Sequence, residues 1–346
     1  MRRSFLLMIL SLSILVSCQD GGGKASSSLV VPEVRYELSG GAGHYDYAPS
    51  FILDQYGIIY GFLCENKNPF EIIDYVYLYK GIPTKDGYVW QPGTQIVAPS
   101  ETGWDHIHIC DPDVRAFKTR WKGKTYNYIM TYLGVDQWFD HNQIGLAVSE
   151  AIEGPYIKFD GNPLIPYEGR DKWGTGQSTS LVKNDSTIVV YYHNTGSKTG
   201  YSRREVILND LDNIRLGEQE DIPHLRPNSY PALGKNHMYM VSEMKSDAYD
   251  SSVIPTWVGD LCRVARMPLD GDICAEEDPW EVIGYVTPEL SGFPRNHNPG
   301  FLTDEKGYLP DEDILTVYFS TAVTGDDWLW SYDLYSATFD MMKRKQ

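Results

Sequence analysis

Apolar and aromatic positions in this chain fall in short runs rich in Tyr, Val, Ile and Thr, and Gly, Asn, Asp or Pro interrupts them every few residues. The three- and four-residue apolar spacing that marks helices is scarce. Short β-branched and aromatic runs bounded by turn residues indicate antiparallel strands, so the pattern predicts an all-β fold.

The runs also repeat. A Pro-x-apolar tripeptide opens a strand at Pro49-Ser50-Phe51, Pro112-Asp113-Val114, Pro231-Ala232-Leu233 and Pro299-Gly300-Phe301, with a degenerate copy at Thr179-Ser180-Leu181. The steps between copies, about 63, 67, 52 and 68 residues, are each long enough for one four-stranded sheet and its loops. Second strands are expected at 57–62, 126–132, 187–192, 237–242 and 314–320. Third strands follow at 75–79, 144–149 and 334–338, and fourth strands at 90–97 and 280–286. One such sheet cannot cover both of its own faces, whereas radial stacking around a channel can. The expected architecture is a five-bladed β-propeller over 34–346. A pair of β-sandwiches would use similar strands but does not require equal phasing.

The N-terminus differs from the rest. Arg2 and Arg3 precede an apolar run at 5–16 that is too short to span a bilayer comfortably and reads as the core of a signal peptide. It ends in Leu15-Val16-Ser17-Cys18, the pattern of a bacterial lipobox, in which Cys18 would carry the lipid. The expected organisation is a lipoprotein signal peptide at 1–18, a Gly- and Ser-rich tether at 19–33, and the propeller. Such a protein would be lipid-anchored in the cell envelope, at the outer membrane on its periplasmic or surface face. With 47 acidic against 30 basic residues the net charge is −17, which excludes a nucleic-acid partner because phosphate binding needs a basic surface. Besides Cys18, an exported chain could pair Cys64, Cys110, Cys262 and Cys274. Cys262 and Cys274 are near enough in sequence to bridge neighbouring strands, but spacing leaves the pairing open.

Several motifs resemble a known group. Residues 144–158, with Ala147 and Ser149 followed by Gly154-Pro155-Tyr156, resemble the blade endings of the five-bladed furanosidase superfamily, which includes glycoside hydrolase families 43, 62 and 117. Asp111-Pro112-Asp113-Val114 resembles the Asp-Pro motif that opens blades there. Gly174-Thr175-Gly176-Gln177-Ser178 and the segment from Asp327 to Tyr332 are more similar to the family 117 branch. The resemblance spans nearly all of 34–346. In family 43 it implies an axial site with a base in blade one, a pKa-setting Asp in blade two and a Glu acid in blade three. Inversion requires one carboxyl to protonate the leaving oxygen while another activates water. Here Asp111 stands at the blade-two position. Blade one has Ala48 before its Pro, with Asp46 the nearest carboxylate, and blade three has Gln177 and Ser178 where the acid would be. Family 117 is thought to use a His acid, which implies that role for His297. The resemblance also implies a Ca²⁺ or Na⁺ ion at the axis, although no EF-hand-like loop supports it.

The expected starts of the inner strands are unusually polar: His44, Asp46, His106, His108, Asp111, Gln177, Asn228, Arg295, Asn296, His297 and Asn298. Asp46 is the candidate base, Asp111 the charge-tuning group, and His297 or Glu243 the acid. Gln177 and His108 are candidate sugar contacts, and Arg295 could pair with a substrate carboxylate. Trp104, Trp138, Trp173 and Trp257 fall in loops, where Trp173 in particular would stack on a sugar ring. The leading function is an exo-acting, inverting glycoside hydrolase that removes a terminal sugar from a polysaccharide-derived oligosaccharide. A glycan-binding lipoprotein that kept the fold and lost the acid is the alternative. A lyase acting on a uronate through His and Tyr is a third.

Overall fold

A computed structural model describes residues 28–345 apart from 86, 138, 139, 171, 253, 255–257, 326 and 327. Cys18, Trp138, Trp257 and Asp327 lie outside the described residues.

The expected strands appear where the apolar runs place them, among others that the runs did not specify. In chain order they are β1 (Glu33–Leu38), β2 (Tyr47–Leu53), β3 (Ile59–Asn66), β4 (Asp74–Thr84), β5 (Gly87–Trp90) and β6 (Thr94–Val97). Next come β7 (His108–Trp121), β8 (Lys124–Val135), β9 (Gln143–Ser149), β10 (Ile157–Lys158), β11 (Thr175–Asn184), β12 (Thr187–Asn194) and β13 (Tyr201–Ile207). The remainder are β14 (Arg215–Leu216), β15 (Glu220–Asp221), β16 (Ser229–Leu233), β17 (His237–Met244), β18 (Leu261–Pro268), β19 (Glu281–Val286), β20 (Arg295–Thr303), β21 (Ile314–Ala322) and β22 (Asp333–Asp340). The fourth strand expected at 90–97 is split into β5 and β6, which pair with opposite ends of β4.

Hydrogen bonding divides these strands into four sheets. Three are local: β7 to β10, β11 to β15, and β16 to β19. The nine-stranded fourth sheet consists of two antiparallel sets, β2 to β6 and β20 to β22 with β1. The two sets join where β2 runs parallel to β20 at Phe51–Leu302 and Ile52–Thr303. The backbones come close enough there that a Cβ on Gly300 would lie 2.6 Å from the Pro49 carbonyl oxygen, which explains a glycine at that point. β1, which the pattern did not predict, pairs with β22 and completes the last set from the other end of the chain. The first strands of the sets pack on one another in a closed circuit, β2 to β7 to β11 to β16 to β20 and back to β2.

Between neighbouring sets the alternate apolar residues of facing sheets interlock. Val241, Val264, Phe319 and Phe339 belong to one such fully buried cluster, and Ile129, Leu146, Val190 and Val206 to another. The centre of the circuit is polar and closed. Asp113 is buried, so the solvent-facing orientation that strand alternation allows does not occur. Its Oδ2 accepts Ser180 N–H and Oγ at 2.8 and 2.6 Å, its Oδ1 accepts Tyr230 Oη at 3.1 Å, and Arg115 lies 2.8 Å away. Arg115, also fully buried, donates to the Ser180 and Val114 carbonyls and to Tyr230 Oη. The network ties β7, β11 and β16 together, with Ser50 of β2 at 3.4 Å from Asp113.

A disulfide joins Cys64 on β3 to Cys110 on β7 and so links the first two sets, while Cys262 and Cys274 are free thiols. The bridge that their closeness in sequence suggested is not formed.

Candidate active site

One backbone feature recurs at the mouth of the central channel. Ala48, Asp111, Gln177, Asn228 and Asn298 have positive φ values of 50°, 49°, 51°, 57° and 45°. Asn228 immediately precedes its first strand, and the other four are the second to fourth residues of theirs. In four of the sets the pairing register shifts there, the mark of a β-bulge that re-aims a side chain. Left-handed backbone is costly for residues other than Gly, least so for Asn and Asp. These five positions line one open pocket, and Tyr230, which also lines it, belongs to the Asp113–Arg115 network. The left-handed residues, not the prolines, mark equivalent positions. The expected openings at Thr179 and Pro231 therefore sit one and two residues out of phase with Pro49 and Pro112, because Ser178 and Ser229 occupy the proline position there.

The ring is wired from set to set. Asp111 N–H donates to Cys64 Sγ at 3.0 Å, and the Gln177 backbone N–H donates to the Asp111 carboxyl. Asn228 N–H donates to Gln177 Oε1 at 3.2 Å, and Asn228 Nδ2 donates to Glu243 Oε2 at 2.7 Å. Asn298 N–H reaches the same Glu243 oxygen at 3.2 Å. Asp111 is the only carboxylate among the pocket-lining residues. Burial, reinforced by the charge of Asp74, pushes it up to about 7 against the Gln177 N–H and His108, which favour its anion.

Two histidine–carboxylate pairs flank the ring. His297 Nδ1 lies 2.6 Å from Glu243 Oε2, and Gly259 N–H caps the other Glu243 oxygen. Burial alone would raise Glu243, but His297 and the N–H donors outweigh it and hold the carboxyl below its usual range. Glu243 is thus an anion that orients His297, which does not suit the proton-donor role considered for it. On the other side His108 Nδ1 lies 2.7 Å from Asp74 Oδ2. Asp74 also accepts the hydroxyls of Tyr45 and Tyr47 at 2.6 and 2.7 Å. The Tyr47 ring stacks on His297 and Tyr332, with centroids 6.5 and 5.6 Å away, and so connects the two pairs. Asp74 went unnoticed in the sequence because a lone Asp at the start of an outer strand carries no pattern.

The other expected residues are placed as follows. Asp46 is fully buried, takes the Gly40 N–H on Oδ2, and does not line the pocket. Burial, with Glu65 adding to it, raises its carboxyl well above the usual range. Arg295 is fully buried, bonds Tyr332 Oη, and stacks against the rings of Trp328 and Tyr332, with its Nε and Nη1 making no hydrogen bond. It does not line the pocket either. Trp173 stacks on His193 at 4.6 Å beside the ring, and Trp104 packs on Tyr132 in the core. The three grouped potential metal ligands, Cys64, Cys110 and Asp111, include both disulfide sulfurs. That group offers an ion one carboxylate, too little for the oxygen-rich shell of Ca²⁺.

Neither a protein-family model nor a curated protein matches the chain. Solved structures do. The family 117 glycoside hydrolase Zg3597 of the marine bacterium Zobellia galactanivorans superposes with a TM-score of 0.56 at 14% identity, covering 90% of this chain and 91% of that one. The catalytic domain of the GH62 α-L-arabinofuranosidase of Coprinopsis cinerea gives 0.56 at 11% identity over 89% and 97%. The GH43_1 enzyme of Xanthomonas citri, solved with xylotriose, gives 0.52 at 12% identity over 86% and 88%. The fold is that of the propeller glycoside hydrolases. Within that propeller fold, the pocket lies where the first strands of the sets converge.

Proposed function

We propose that the chain is a glycoside hydrolase with five propeller blades, whose axial pocket takes the terminal sugar of an oligosaccharide. The observation that carries this is Asp111, a carboxyl aimed into the pocket that changes protonation near neutral pH, as an acid–base catalyst must. The blade count rests on the closed circuit of first strands, each with its left-handed residue. Exo action is our reading of a pocket lined by Tyr230, behind which the Asp113–Arg115 pair is fully buried. In this reading Asp111 is the base that activates water. His297, fixed by Glu243, is the acid that protonates the leaving oxygen, and direct attack by water inverts the anomeric centre. The xylotriose bound by the Xanthomonas citri enzyme is consistent with an oligosaccharide partner.

Release of reducing sugar from an oligosaccharide panel tests the assignment. His297→Asn is expected to lower kcat/KM roughly 100-fold or more on natural linkages. Aryl glycosides whose leaving group needs no proton should lose far less. Equal loss on both substrate types would remove His297 from the acid role.

Ala48 and Gln177 favour a second reading. They occupy the left-handed positions of the first and third sets, where the resemblance implies the base and the acid, and neither titrates. A glycan-binding propeller would bind the panel without turning it over.

We also propose that Cys18 is lipidated and anchors the protein in the cell envelope. Cys18→Ala is expected to release it from the membrane fraction and abolish incorporation of labelled palmitate. Unchanged labelling would place the anchor elsewhere.

A further inference from the structure

We infer that Asn298 determines specificity by accepting a hydrogen bond from one particular hydroxyl of the sugar in the axial pocket. This rests on the carbohydrate reading above.

The amide groups of the ring are not equivalent. Gln177 spends its Oε1 on the Asn228 N–H, and Asn228 spends its Nδ2 on Glu243. Asn298 gives its backbone N–H to Glu243, but its side-chain Oδ1 has no partner. The residue is only 6% exposed, lines the pocket, and its φ of 45° holds the side chain at the bulge. A buried carbonyl without a donor is penalised until something supplies one. The pocket supplies nothing charged to do so, since no Lys, Arg or His lines it. The two flanking histidines are engaged with Asp74 and Glu243, and Arg295 is held between aromatic rings outside the lining. A hydroxyl is therefore the donor that fits, and sugars carry several at fixed angles.

The choice has a chemical consequence. A ring position capped by an ester or a methyl ether has no proton to give and would leave Oδ1 unsatisfied. Sugars decorated at that position would have to be de-esterified or de-etherified before this site could take them.

The test pairs each hydroxyl of the best-bound sugar with its deoxyfluoro isostere, which can accept but not donate, in calorimetric titrations. The wild-type chain should lose roughly 10- to 100-fold in affinity at one ring position and much less at the others. Asn298→Ala should bind the parent sugar correspondingly more weakly and show no further loss with that fluoro analogue. The left-handed backbone tolerates the replacement, because Ala48 already has φ 50° at the equivalent place. Asn298→Gly, which removes any residual strain, should behave the same way. Sugar binding with no position singled out, or an unchanged fluoro penalty in both variants, overturns the role of Asn298 and leaves the carbohydrate reading intact. Failure of the wild-type chain to bind any sugar overturns that reading and the inference with it.

Discussion

Asp111→Asn is expected to lower kcat/KM by at least about 10³-fold while raising the stability of the protein at pH 8, and these opposite signs separate a catalytic carboxyl from a structural one. The carboxyl is raised in the folded chain from 3.8 to about 7, chiefly by burial. The native state therefore keeps a proton that the unfolded chain has already released. The stability that Asp111 contributes is complete below about pH 4 and is lost as pH rises to about 7. Asn has no proton to lose, so the variant should escape this loss. A displacement of that size corresponds to at most roughly 4 kcal/mol, reduced because one side of Asp111 meets pocket water. Urea unfolding of both proteins at pH 4.5 and pH 8 checks the sign. The gap should open on going to pH 8, and a variant less stable than wild type at pH 8 would contradict the environment described for Asp111. In the wild type, kcat/KM should climb through about pH 7 as the base ionises. An acidic limb near pH 4 would remove Asp111 from that role.

Asp113→Ala should have the largest effect on folding. It leaves the Arg115 guanidinium fully buried without its carboxylate, and breaking such a pair by removing one partner typically costs 3–5 kcal/mol. For a domain of this size the thermal midpoint should fall by roughly 6–20 °C. The double replacement Asp113→Ala with Arg115→Met should recover most of the loss, since no unmatched charge is left behind. Calorimetric melts of the two variants decide it. A single variant within 1 kcal/mol of wild type would mean that water or rearranged neighbours satisfy Arg115.

Much of the fold was legible because strand formation is local. Runs such as those in β8 and β21 are rich in Tyr, Ile, Val and Leu over a length that suits a buried strand, and turn residues bound them. Relations between distant segments were less so. The Cys64–Cys110 bridge crosses 46 residues, and four cysteines allow three pairings that spacing cannot rank. In the site, the motif resemblance pointed to Asp111, which is in the ring, and to His297, which flanks it. Asp46 shows the limit of that reading. It is two residues from Ala48, so simple alternation would send both side chains the same way. The left-handed residue and the bulge that follows break the alternation, and the Asp46 carboxyl ends at Gly40. Proline misled for a related reason: it is compatible with the residue after the left-handed turn but is not what makes the turn, so Ser178 and Ser229 serve equally well. Glu243 depends on a strand from another set. Its partner His297 is 54 residues away in the chain, and nothing local distinguishes it from a solvated strand-end Glu.

The pairing of β1 with β22 has a kinetic meaning. It brings residues 33–38 against 334–338, so its closure entropy is the highest of the strand pairings among the described residues. Contacts of such long range form slowly, and this one is unavailable until the last strand exists. The pocket inherits that delay, because Asn298 lines it and His297 flanks it, both on the set that β1 completes. A chain cut short before β22 would hold most of its strands and yet no finished site, so binding competence should arise in one late step rather than accumulate set by set.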